Sequence, residues 1–148
     1  MPELFHIGDL EILARLVMAA ILCGMVGIER EYRHRPAGVR TYALVGMGTA
    51  LFTIASISFG SMAAEGTVDV SRVASYVLAG IGFIGAGTII QSRGIVKGLT
   101  TAASIWIVAA IGMVIGMGLY GPAIIAAVLT MIILVVLRGL HIEEEDDN

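Results

Sequence analysis

Three groups of polar residues in this apolar chain have types and spacings that suit chemistry. Glu29-Arg30-Glu31 and Arg40-Thr41 bracket a short basic connection. A carboxylate in that position suits Mg²⁺, which binds through a few carboxylates and keeps several waters, so Glu29 is the candidate metal ligand. The same residues serve equally well as helix-end ion pairs and interface anchors. Arg15 lies about one and a half turns inside an apolar stretch, where a charge is costly unless it snorkels, pairs or faces a polar cavity. Glu11 precedes it at the i,i+4 spacing that allows pairing. Two readings of Arg15 stay open: snorkelling to the outer interface, or an inward-facing partner for an acidic ligand or a helix end. The third group is Gly98, Thr100 and Thr101, preceded by Arg93 and Lys97; Thr100 is the expected cap of the helix that follows.

None of these groups is a catalytic constellation. His6, His34 and His141 are scattered, and no Ser-His-Asp or HExxH arrangement occurs. Gly80-Ile81-Gly82-Phe83-Ile84-Gly85 matches the dinucleotide pattern, but that pattern has a mechanism only between a strand and a helix, and here it sits inside an apolar run. The chain therefore reads as non-enzymatic and without a cofactor, with Mg²⁺ as the one candidate ion. Its net charge of −3 comes largely from the five acids Glu143–Asp147, a pattern that gives no reason to expect a nucleic-acid partner.

The elements that must carry these residues are transmembrane helices. The chain has 148 residues, 57% hydrophobic and 14% charged, well away from the balance of soluble domains. About 20 apolar residues cross a bilayer core. Five spans are predicted: Leu10–Ile28, Thr41–Phe59, Ala74–Ile90, Thr100–Met117 and Ala123–Leu137. Gly121-Pro122 marks the start of the fifth. The fold class is thus an all-α membrane bundle of about five transmembrane helices, with residues 1–140 as one membrane domain and 141–148 as an acidic tail. The lead-in to the first span carries Glu3, Asp9 and Glu11 rather than a basic region, which argues against a cleaved signal peptide.

Lys and Arg accumulate on the cytoplasmic side. Arg30, Arg33, Arg35 and Arg40 follow span one, Arg93 and Lys97 follow span three, and Arg138 follows span five; only Arg15 and Arg72 fall elsewhere. This distribution predicts an outer N-terminus and a cytoplasmic C-terminus. Arg33, Arg35 and Arg40 are also candidates for contact with anionic lipid head groups.

A shift of 60 positions lays the first helical hairpin on the second, pairing Gly27 with Gly87, Arg33 with Arg93, Gly38 with Gly98, Thr41 with Thr101 and Ala50 with Ala110. Both connections then lie on the same side, which predicts a parallel repeat of two hairpins plus a fifth helix. Gly82 and Ala86, with Gly87 beside them, and Gly112 and Gly116 have the small-xxx-small spacing of close helix packing. They make spans three and four the expected centre of the bundle, or the contact face of a homo-oligomer.

Several ordered motifs resemble those of the MgtC/SapB family of bacterial membrane proteins. They are Gly27-Ile28-Glu29-Arg30-Glu31, Arg35-Pro36-Ala37-Gly38-Val39-Arg40-Thr41, Gly80 to Ile90, and Gly98-Leu99-Thr100-Thr101-Ala102-Ala103-Ser104-Ile105-Trp106. The resemblance covers most of residues 10–138. It implies a multi-pass protein of the bacterial inner membrane linked to magnesium homeostasis or low-Mg²⁺ adaptation, a form of stress adaptation associated in some pathogens with virulence. It also implies action on membrane-protein partners, the ATP synthase among them, rather than Mg²⁺ pumping. Many family members carry a cytoplasmic C-terminal domain, whereas eight residues follow Leu140 here, so the expectation concerns the transmembrane domain alone.

The matching positions are Glu29, Arg30, Arg40 and Thr41; Gly82, Gly85 and Gly87; and Gly98, Thr100, Thr101 and Trp106. Glu29, Arg30, Arg40, Thr41, Gly98, Thr100 and Thr101 form the expected functional cluster on the cytoplasmic face. Gly82, Gly85, Ala86, Gly87, Gly112, Gly116 and Trp106 are the expected packing set. The expected partners are membrane lipids, a membrane protein and a second copy of the chain. The competing function is a small oligomeric transporter or channel for Mg²⁺ or another cation.

Overall fold

The computed structural model describes residues 8–62, 69, 71–92 and 95–137. His6, Arg93, Arg138, His141 and the acidic tail lie outside the described residues. Five helices follow one another: α1 (Asp9–Tyr32), α2 (Val39–Met62), α3 (Ser71–Ala86), α4 (Leu99–Gly116) and α5 (Tyr120–Val136). Between α3 and α4 stands an antiparallel ribbon, β1 (Ile90–Ser92) and β2 (Ile95–Lys97), in which Ile90 pairs with Lys97. The all-α membrane class holds, with this ribbon as the one departure among the described residues. Helices α1, α2 and α4 are long and apolar enough to cross a membrane, while α3 and α5 are shorter apolar helices. Large apolar side chains point outward on every helix, among them Leu13, Leu51, Phe83, Trp106 and Ile125, as expected where lipid rather than water is the solvent.

Local chemistry sets the helix ends. Helix α1 stops before Pro36, whose ring disfavours helical backbone in the residue ahead. Its last turn closes as a Schellman motif: the Arg35 amide donates to the Arg30 carbonyl at 3.0 Å and the His34 amide to Glu31 at 2.9 Å. His34 takes the left-handed conformation, φ 53°, that glycine usually supplies there. Helix α4 ends the same way, with Gly118 at φ 80° in that position and the Leu119 amide reaching the Val114 carbonyl at 3.0 Å. At the start of α3, Asp69 accepts hydrogen bonds from the Ser71 hydroxyl at 2.6 Å and the Ser71 amide at 2.9 Å. These bonds hold the Asp69 carboxyl below the usual carboxylate range.

Helix α3 ends four residues before the sequence reading had it. Thr88 turns its hydroxyl back onto the Gly85 carbonyl at 2.7 Å, and the β-branched pair Ile89-Ile90 then passes into the ribbon. Helix α4 also starts differently from expectation. Thr100 does not cap it: Gly98 stands at the cap position with φ 93° and no side-chain bond, and Thr100 is an exposed residue of the first turn. A Cβ on Gly98 would collide with the Thr88 carbonyl, so the turn into α4 needs glycine for space as well as for backbone angle.

Helix α4 is the centre of the bundle and packs on all four other helices. It meets α2 at backbone distance, since a Cβ on Gly112 would strike the Gly46 carbonyl and one on Gly116 the Ala50 carbonyl. Helix α1 meets α2 as closely, where Gly27 lies against Val39 and Gly46 against Cys23. Helix α3 is peripheral and buries only Ile81 and Gly85. Gly85 sits on Ala102, whereas Gly82 has open space above it, and Ala86, Gly87 and Trp106 are exposed. Of the two spans expected at the centre, α4 holds that place, whereas α3 lies at the periphery and α2 packs on α4 instead.

The 60-residue shift relates α2 to α4 by their starts, Val39 and Leu99. In each the preceding glycine accepts an early amide of the helix: Tyr42 on Gly38 at 3.1 Å and Ala102 on Gly98 at 2.9 Å. The first helices of the two hairpins differ, with 24 residues in α1 and 16 in α3.

Overpacking a close backbone contact costs on the order of 1–3 kcal/mol. Gly112→Leu therefore lowers the unfolding midpoint of the purified protein in detergent, and Gly82→Leu does not. Equal midpoints for the two variants would contradict the assignment of the α2–α4 contact.

Candidate functional site

Two buried charged sites mark opposite ends of the bundle. At one end Arg15, 8% exposed, donates from Nη1 to the Gly116 carbonyl at 2.6 Å and pairs through Nη2 with Glu11. Gly116 is the last residue of α4, where carbonyls lack helical partners and the helix dipole is negative. Arg15 thus faces inward onto a helix end, and Gly118 beside its guanidinium leaves room for it.

At the other end α1 delivers Glu29 and Arg30 into the interior, 8% and 4% exposed. They are adjacent in sequence and their side chains pair directly. Arg33, one turn on, approaches the second Glu29 oxygen at 3.5 Å. One Glu29 oxygen is taken by Arg30, and the other lies buried beside Arg33 with no hydrogen-bond partner among the described residues. That arrangement does not fit Glu29 as the ligand of a resident Mg²⁺, because a divalent cation would have to displace two positive charges already there. Among the described residues no cluster of three His, Cys, Asp or Glu side chains offers an alternative set.

A polar chain leads away from this pair. Tyr42 of α2 is fully buried within electrostatic reach of Arg30 and Glu29. Its hydroxyl meets Ser104 Oγ at 2.5 Å, and Ser104 in turn donates to the Thr101 carbonyl at 2.9 Å, which makes Tyr42 the donor to Ser104. Glu31, exposed at the end of α1, accepts the Val39 amide at 2.9 Å and so caps α2. Sequence reasoning missed Tyr42, Ser104 and the capping role of Glu31. The Ser104 hydroxyl at i+3 from Thr101 gave a local signal, but nothing in the sequence pairs Ser104 with Tyr42 across 62 positions.

The expected cytoplasmic-face residues divide. Glu29, Arg30 and Thr101 are buried, Thr41 and Gly98 are half-buried, and Arg40 and Thr100 are exposed. The two connections do come together: Arg35 shares a cavity with Val96, Lys97, Gly98, Leu99, Thr100 and Thr101.

Removing one partner of a buried pair leaves the other uncompensated, at a cost on the order of 3–5 kcal/mol. Glu29→Gln is therefore expected to destabilise the detergent-solubilised protein strongly, and Glu29→Gln with Arg30→Met to recover much of the loss. Additive destabilisation in the double variant would sink the pairing argument.

The chain matches the MgtC family model over residues 16–142. It is 48% identical over 133 residues to the Escherichia coli K12 protein named "Putative magnesium transporter YhiD", covering 88% of this chain and 62% of that protein. It is 42% identical over 127 residues to Protein MgtC of Brucella abortus, covering 86% and 51%. An uncharacterized protein of Haemophilus influenzae is 37% identical over 137 residues, 89% of this chain and 58% of that one. The chain thus spans between half and two thirds of the length of these relatives. No solved structure matches it significantly. The family match extends from inside α1 past the end of α5 and takes in the buried pair Glu29 and Arg30 though not Arg15, so this membrane protein belongs to the MgtC family.

Proposed function

We propose that this chain is a non-enzymatic, multi-pass protein of the bacterial inner membrane that serves magnesium homeostasis or low-Mg²⁺ adaptation through contacts with membrane-protein partners. The magnesium link rests on the family and on the Escherichia coli relative named for magnesium transport. The contact mechanism rests on one observation: the buried charges are engaged inside the chain. Arg15 holds Glu11 and the end of α4, and Glu29 pairs with Arg30 and faces Arg33. The seam between α2 and α4 is closed by glycine-backbone contacts. A conducting path needs coordinating groups turned toward water, and these face one another instead. The surfaces left for work are the outward apolar faces and the basic end of the bundle, where Arg40 is exposed.

The decisive experiment is Mg²⁺ flux into proteoliposomes holding only this purified protein. Flux equal to that of empty liposomes is the expected result; flux above it, reduced by Arg40→Ala, would replace this reading with an oligomeric cation transporter. In cells, Arg40→Ala is the informative variant because its side chain is exposed: it should impair growth at low Mg²⁺ while leaving membrane insertion intact. Full growth with Arg40→Ala would remove the basic end from the mechanism.

The basic connections support an outer N-terminus and a cytoplasmic C-terminus. In a Cys23→Ala background, an impermeant maleimide should label Ser61→Cys in intact spheroplasts and Arg35→Cys only after permeabilisation. The reverse pattern would invert the orientation.

A further inference from the structure

The cavity between the α1–α2 connection and the start of α4 combines features that share one kind of ligand. Its volume is about 480 Å³, within the usual range for small-molecule sites. Among the described residues two cationic side chains line it, Arg35 and Lys97, and no carboxylate does. Among the described residues neither cation takes part in an ion pair. The floor is the amino terminus of α4, an 18-residue helix whose cap, Gly98, supplies no side-chain acceptor. The first helical amide with a backbone acceptor here is Ala102, on Gly98, which leaves the amides of Leu99, Thr100 and Thr101 as donors at the positive end of the helix dipole.

A second observation is independent of the helix end. Thr101 lines the same cavity and is 2% exposed, yet its hydroxyl makes none of the hydrogen bonds found among the described residues, unlike Thr49, Thr53, Thr88 and Thr130. Four of these threonines turn the hydroxyl back on their own helix. The Thr101 carbonyl is taken by Ser104, and its hydroxyl takes no part in the hydrogen bonds among the described residues. A hydroxyl on so buried a residue, with no partner in its own helix, is free to donate to a ligand oxygen in the cavity.

We propose that this cavity is a phosphate-binding site, in which Arg35, Lys97, the Thr101 hydroxyl and the first amides of α4 take up the oxygens of a phosphate group. Helix amino termini with free amides and flanking cations are suited to that anion. The group is carried either by free phosphate or by an anionic phospholipid head group at the same depth. The site goes beyond the magnesium reading and does not depend on it.

The test uses the full chain in two settings. In lipid-free detergent, inorganic phosphate is titrated by calorimetry against matched sodium chloride. In nanodiscs of phosphatidylcholine, with or without phosphatidylglycerol, thermal unfolding and retained lipid are measured. Saturable phosphate binding in detergent identifies free phosphate as the source. Stabilisation and lipid retention only with phosphatidylglycerol identify the head group. In either setting Arg35→Ala with Lys97→Ala, both exposed positions, should weaken binding by about tenfold or more. Thr101→Val should weaken it less, and Lys97→Arg with Arg35 intact should retain it. Wild-type protein that responds to neither ligand, or a response unchanged in the double variant, overturns the site.

Discussion

The bundle depends on helix backbones that touch. Between lipid-bathed helices the hydrophobic effect gives little preference for helix–helix over helix–lipid contact, so association rests on close packing and polar contacts. Glycine makes that packing available here. Gly112 and Gly116 bring α4 onto the carbonyl row of α2, and Gly27 and Gly46 bring α1 onto α2. Once three backbones sit that close, the remaining side chains have little freedom. Tyr42 and Ser104 meet because α2 and α4 are in contact, and Arg15 reaches the end of α4 because α1 lies beside it.

The polar residues make sense against that seam. A charge in an apolar bundle must be answered by another charge or by an unpaired carbonyl. Arg15 has both, a carboxylate one turn away and a helix end. Arg30 has Glu29 alone, and Arg33 shares the same carboxylate. The pair is thus positively biased, and it lies at the end of the bundle where the connections carry Arg35 and Lys97. The charge of this end arises from buried as well as exposed groups.

Much of the fold was legible because membrane helices advertise themselves by length and composition, and the basic connections mark where they stop. The 60-residue match that pairs Gly38 with Gly98 and Thr41 with Thr101 marked both helix starts to within two residues, at Val39 and Leu99. Other features were not legible. Glycine spacing in α3 looked like packing, but Gly82 and Gly112 have the same local signature, and only the tertiary arrangement decides which one meets a neighbour. The ribbon strands Ile90–Ser92 and Ile95–Lys97 were hidden because Ile89-Ile90 continues the apolar run of α3 and each strand is only three residues long. Of the candidate site, Glu29 and Arg30 stood out as charges, yet their burial was invisible, because juxtamembrane charge is ordinary in any multi-pass chain.

The Arg15 contact also has a mechanical meaning. It ties α1 to the far end of α4, while the Tyr42–Ser104 bond ties α2 to the near end of the same helix. Helices α1, α2 and α4 are therefore latched at both ends of the bundle and form a single strut. Alternating access in repeat-built transporters needs one half to rock against the other, and a strut that joins α4 of one half to both helices of the other resists rocking. Helices α3 and α5 carry no such latch among the described residues and join the strut at its rim through the turns at Gly87 and Gly118.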